Sequence, residues 1–194
     1  MHMKLLDPQN LSKGSERQKA AFRAIEKLEI FTLLKSYSPV LAGTIALGVD
    51  LPTSDLDIIC ASENLEEFAA KLKAHFGDQP GFRIRHKVIS GMPSVVCRFK
   101  GPEEFPIEIF GQNQSVFRQS AVLHLLIEAR LLSFAAAGAR ERIRQLKAAG
   151  RSTEEAFADC FALSGDPYEA LLKIANLADH EILNIAHRFL FEPN

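Results

Sequence analysis

Between about Ser15 and Ser36 apolar residues recur at helical spacing, with Ala21, Ile25, Leu28, Phe31 and Leu34 on one side, which predicts an amphipathic helix. The texture then changes. From about Pro39 to Gly111 the runs "PVLAG", "DLDIIC", "FRIRHKVI", "VVCRFK" and "PIEIFG" read as strands, with a helix-like "NLEEFAAKLKAHF" after the second. Breakers in "GDQPG", "SGMPS" and "GPEEFP" separate them, and "ISGMPSVV" is short enough to be a hairpin. Beyond Gln112 the pattern is helical throughout. "SVFRQSAVLHLLIEARLLSFAAA" and "RERIRQLKAAG" come first, then "TEEAFADCFAL" with Thr153 as its cap. "DPYEALLKIA" follows, with Asp166 capping and Pro167 in the first turn, and a last segment runs to about Leu190. The expected architecture is α/β, a mixed β-sheet core with an N-terminal helix and a C-terminal helical region. Its parts are residues 1–37, 38–111 and 112–194.

Composition narrows the classes. The 194 residues are 47% hydrophobic and 24% charged, an ordinary globular balance able to bury a real core. No apolar run approaches the ~20 residues of a membrane span, and "MHMKLLDPQN" has no signal-peptide core, so the chain is expected to be cytoplasmic and not membrane-bound. Met1 and His2, before a second methionine, read as an added remnant. Cys60, Cys97 and Cys160 lie far apart in apolar runs, as core residues of a reducing compartment would. With a net charge of −1 there is no overall positive field, which disfavours nucleic acid as a partner. In "ARERIRQLKAAGR" basic residues do prevail, and a solvated helix face is the expected reading.

Chemistry enters with "GTIALGVDLPTSDLDIIC". Asp55 and Asp57 flank Leu56 in a strand-like run, so both carboxylates point to one face, where like charges repel and unpaired burial is costly. A divalent cation between them offsets that repulsion; magnesium takes one or two carboxylates plus phosphate and water oxygens. "FPIEIFG" offers Glu108 as a third acid in an apolar strand, and the three carboxylates are expected to converge near Gly43 and Thr44. There a glycine lets backbone approach a phosphate while the hydroxyl and amides donate to it. The structural alternative for these acids is pairing with arginine.

These residues resemble a known superfold. Gly43-Thr44, ten intervening residues, "SDLDI" and a later strand acid look like the signature shared by DNA polymerase beta, the antibiotic nucleotidyltransferases and the minimal nucleotidyltransferases. The resemblance implies two-metal nucleotidyl transfer, with Mg2+ (two ions, or Mn2+) held by Asp55, Asp57 and Glu108 and a nucleoside triphosphate bound by Gly43, Thr44 and Ser54. More closely, "GTIALGVDLPTSDLDIIC", "IEIFGQ", "HLLIEARLL" and "GDPYEALL" resemble a family of small bacterial proteins known as a domain of unknown function, over nearly the whole chain. One departure matters. The basic residue that often follows the Gly-Ser/Thr pair is Ile45 here, so phosphate-binding cations must come from elsewhere.

Arg83, Arg85 and Lys87 share one strand face, with Arg98, Lys100 and Arg118 as further candidates; protection of a sheet edge is the competing reading. His124 and Glu128, four apart, share a helix face and either orient substrate or form a bonded core pair. The expected function is metal-dependent transfer of AMP from ATP to a hydroxyl of a small molecule or protein. A noncatalytic nucleotide- or protein-binding module and an RNA-end nucleotidyltransferase are the alternatives.

Overall fold

A computed structural model describes residues 5–187. Met1 and His2, and the expected helical stretch from residue 188 to Leu190, lie outside the described residues. The chain divides into two compact units, one running to Ala46 and resuming at Thr53–Val122, the other formed by Leu47–Pro52 with the residues from Leu123 onward.

The first unit is built on five strands, β1 (Val40–Ala42), β2 (Leu56–Ala61), β3 (Arg83–Ile89), β4 (Met92–Lys100) and β5 (Pro106–Gln112), arranged β1-β2-β5-β4-β3. β2 and β5 are parallel and every other neighbouring pair is antiparallel, so the sheet is mixed. All five predicted strands form. β3 and β4 make the expected hairpin, whose two turn residues, Ser90 and Gly91, have φ of 52° and 75°, the left-handed pair of a two-residue turn.

Alternation sorts the sheet's faces. Leu41, Leu56, Ile58, Cys60, Val95, Cys97, Phe99, Ile107 and Ile109 are buried in one core. Helices α1 (Glu16–Lys27) and, after the short α2 (Ile30–Leu33) and α3 (Gly43–Leu47), α4 (Leu65–Phe76) add Ala21, Ala24, Ile25, Phe68, Leu72 and Phe76 to it. At Gly111 a side chain would overlap the Phe68 ring, so α4 lies tight against this face. The residues between, Asp57, Glu108 and Arg98, occupy the opposite face.

The expected single N-terminal helix is broken. A Ser15–Gln18 capping box starts α1, but Glu29 adopts φ 50° and ends it, and α2 restarts on a new heading. "LEIFTLL" is too densely apolar for one helical stripe, and the break lets both Ile30 and Leu34 bury completely.

The second unit is helical: α5 (Ser120–Phe134) from Leu123 onward, α6 (Ala139–Ala148), α7 (Thr153–Cys160), α8 (Pro167–Ile174) and α9 (Asp179–Ala186). Ser152, one residue earlier than expected, caps α7 through a capping box with Glu155, which leaves Thr153 as the first helical residue. Asp166 caps α8 by accepting from the Glu169 amide at 3.0 Å. The basic run of α6 has a structural use. Arg140, Arg144 and Lys147 donate to the carbonyls of Leu47, Gly48 and Val49 at 3.2, 2.6 and 3.1 Å. Among the described residues no helix is long and apolar enough to cross a membrane.

Candidate functional site

Sheet register assembles a row of charge. Asp57 of β2 stands opposite Glu108 of β5, Glu108 opposite Arg98 of β4, and Arg98 opposite Arg83 of β3. Directly opposed residues point to the same side, so the row runs acid, acid, base, base across one face, with neighbours about 4.8 Å apart. On the other side of Asp57 stands Ala42, and the chain then turns at Gly43 with φ 73°. A Cβ at 43 would collide with the Asp57 carboxylate. Glycine is therefore required twice, by its backbone angle and by the acid lying against it.

Thr44 follows, and its hydroxyl donates to Ser54 Oγ at 3.3 Å, which brings the two predicted hydroxyl groups together. Asp55, next to Ser54, immediately precedes β2. Sequence reasoning missed Arg17. From α1 its guanidinium donates to the Ser54 carbonyl at 3.0 Å and lies 4.6 Å from the centre of the Phe105 ring, putting a cation beside the Thr44–Ser54 pair. No motif marks it; only its place on the polar side of an amphipathic helix could have drawn attention. Ile45 is fully buried in the core, so that position supplies no charge.

The structure pairs one of the three predicted acids with a base. Glu108, with only 20% of its side chain exposed, is ion-paired with the Arg98 guanidinium, the alternative that the sequence left open. Among the described residues no three His, Cys, Asp or Glu side chains gather to hold a metal ion. Asp57 and Glu108 still stand opposite each other on one face, a hard-oxygen donor set of the kind magnesium takes, and Asp55 lies just before the same strand.

Arg83, Arg85, Lys87 and Arg98, with Val96 beneath them, line one small hollow on this face. Arg118 is not part of it, lying in the turn Val116–Arg118 beyond the far end of β5. A larger hollow, about 520 Å³, lies beyond the C-terminal end of β2 among Tyr37, Asn64, Glu67 and Gln114, away from the row of acids.

His124 and Glu128 belong to the second unit and are each 4% exposed on α5. Neither ring nitrogen of His124 has a hydrogen-bond partner, so the expected histidine–glutamate bond is absent. His124 instead packs its ring on Tyr168, 4.0 Å between centroids. Burial lowers the pKa of His124 and, with help from the Glu154 charge, raises that of Glu128 well above the usual carboxylate range. All three cysteines are buried; burial raises the Cys60 thiol strongly and pushes Cys97 up to about 12, which makes both inert.

The strand order, the parallel β2–β5 pair carrying the acids and the glycine turn against Asp57 define a nucleotidyltransferase-like fold. The chain belongs to the family described as "Domain of unknown function (DUF4269)", whose model matches residues 23–174. Among solved structures it is similar to the Cid1 poly(U) polymerase with MgGTP bound, with a TM-score of 0.52 and 16% identity over 82% of this chain and 50% of that one. Another structure of Cid1, described for its RNA terminal uridylyl transferase activity, gives 0.53 at 14% identity over 90% and 54%. Cid1 with its short product ApU gives 0.50 at 17% identity over 89% and 54%. The chain thus spans about half the length of these structures. No curated protein matches it.

Proposed function

We propose that the chain transfers a nucleotidyl group, AMP from ATP, to a hydroxyl of a small molecule or protein in the cytoplasm. The observation that carries this reading is the Asp57–Glu108 pair, opposed on adjacent parallel strands with Gly43 closed against Asp57. Asp55, Asp57 and Glu108 would hold magnesium, or manganese in its place, which when bound neutralises charge developing on the phosphates. Gly43 and the Thr44–Ser54 hydroxyl pair would receive the triphosphate, and Arg17 supplies the cation that Ile45 does not. The acceptor oxygen bonds to the α-phosphorus as the bond to the bridging oxygen breaks; pyrophosphate leaves with the electron pair, and Glu108, parted from Arg98, takes the hydroxyl proton.

The Glu108–Arg98 ion pair favours a second reading, a nucleotide-binding regulatory module on the same fold that does not turn over. Transfer to an RNA end, the activity in the neighbours' descriptions, is opposed by the net charge of −1. Incubation with magnesium, each labelled nucleotide and a cell extract separates the first two. Pyrophosphate release that Asp57→Asn abolishes supports transfer, whereas saturable nucleotide binding without pyrophosphate supports the module.

A further inference from the structure

The basic end of the charge row repeats the puzzle of its acidic end. Arg83 and Arg98 stand directly opposite each other on β3 and β4, where like charges destabilise a strand pair. Arg85 and Lys87 continue along the same face, opposite Val96 and Ser94. The sole carboxylate paired with any of the four among the described residues is Glu108, on Arg98. Protecting the edge strand β3 from another chain needs a charge on that strand. It does not explain a second arginine behind it on β4, nor why the cations take the face that carries the acids. The other face of β3 has an ordinary surface pairing, His86 with Glu66 at 3.6 Å.

Geometry distinguishes this patch from the triphosphate cradle. Strand order places Gly43 and Thr44 on the β1 side of Asp57, and the cations on the opposite side, beyond Glu108. A hollow of about 80 Å³ opens among Arg83, Arg85, Lys87 and Arg98, with room for a single tetrahedral oxyanion but not for a nucleoside. Guanidinium forks bind phosphate oxygens two at a time, and four positive charges against the single Glu108 carboxylate suit a dianion better than one carboxylate.

We infer that the edge of the sheet at β3 and β4 is the acceptor subsite, and that the acceptor is a small hydroxylated molecule carrying a phosphoryl group. Its phosphoryl sits among Arg83, Arg85, Lys87 and Arg98, and its hydroxyl points toward Glu108. Two strand spacings separate β5 from β3, so hydroxyl and phosphoryl lie within roughly 10 Å of each other. Arg98 belongs to both ends: an arriving phosphoryl group draws it off Glu108 and frees the carboxylate for the hydroxyl proton. The inference rests on the transfer reading for the acceptor's role, while the anion site stands on the cations alone.

The test uses glycerol 3-phosphate, inorganic phosphate, glycerol and a short oligoribonucleotide as probes, followed by backbone amide NMR shifts at constant ionic strength. Glycerol 3-phosphate and phosphate are expected to shift amides of β3 and β4 saturably, and glycerol to leave them in place. In the Arg85→Ser/Lys87→Ser double variant, affinity should fall at least tenfold while the thermal shift given by magnesium and ATP persists. Unchanged affinity in the double variant, shifts centred elsewhere, or oligoribonucleotide binding far tighter than glycerol 3-phosphate overturns the subsite. If phosphate binds as described but no nucleotide gives a thermal shift, the anion site stands, and the transfer reading falls together with the acceptor role.

Discussion

At position 43 the smallest side chain would overlap the Asp57 carboxylate and would sit at φ 73°, a backbone angle that costs an L-residue about 1–2 kcal/mol. Gly43→Ala is therefore expected to lower the melting temperature and to move Asp57, so that the stabilisation given by magnesium and ATP disappears. A variant that melts lower yet keeps its full nucleotide shift would detach Gly43 from the site. The importance of this glycine was readable in the sequence because a strand ended on it and a hydroxyl residue followed. Asp57 and Glu108 were readable for a related reason: each is a lone charge in an apolar strand, and few arrangements other than a shared face tolerate that. The Arg98 pairing was not readable. Which β4 residue opposes Glu108 depends on how the strands around the "GPEEFP" connection align, and alternation fixes the face of a residue but not its partner. Arg17 was hidden for a similar reason, since its contact with Ser54 spans 37 positions.

Among the elements, α5 carries the sharpest pH prediction. Its Glu128 is buried, and its pKa is raised first by desolvation and then by Glu154, against the opposing charge of Lys147. Between the ordinary value of 4.5 and that raised value, the folded state keeps a proton the unfolded chain has released, so stability falls as pH rises. His124 acts with the opposite sign. Its pKa is lowered by desolvation, so below 6.5 the unfolded chain is protonated first and stability is lost as pH falls toward the folded value. Glu128→Gln should raise stability at pH 8 by about 1–3 kcal/mol, the scale of a buried group without compensation, and change it little near pH 4. Denaturant unfolding at the two pH values checks this. No gain at pH 8 would mean that the carboxylate is ionised and compensated in the folded protein. Other elements show where pattern reading stops. Helical spacing located α1 but not its break at Glu29, because a left-handed residue that redirects a helix is chosen by the core it serves. The basic run on α6 looked solvated, yet Arg140, Arg144 and Lys147 hold three successive backbone carbonyls from nearly a hundred positions away.

For the whole molecule the decisive quantity is how folding couples to ligand. Without metal, Asp57 and Glu108 stand opposite each other across β2 and β5, and the Arg98 ion pair offsets part of their repulsion. Asp57→Asn removes one of these charges and preserves the side-chain shape, so in chelator it should melt at or slightly above the wild type; the ion pair keeps the gain small. Magnesium with ATP binds only the folded state, and at a hundredfold excess over the dissociation constant it adds about 2.7 kcal/mol of stability. Wild type should show the corresponding rise in its melting temperature, and Asp57→Asn little or none. Scanning calorimetry of both proteins, in chelator and in magnesium with ATP, reads the four values together. The ion-pair alternative makes the opposite forecast, since a structural Asp57 would lose a partner in the variant and melt lower in chelator, while wild type would ignore magnesium even with nucleotide. That outcome would leave the fold assignment intact, because strand order and register do not depend on what the carboxylates bind, and would reduce the acid row to a structural feature of the sheet.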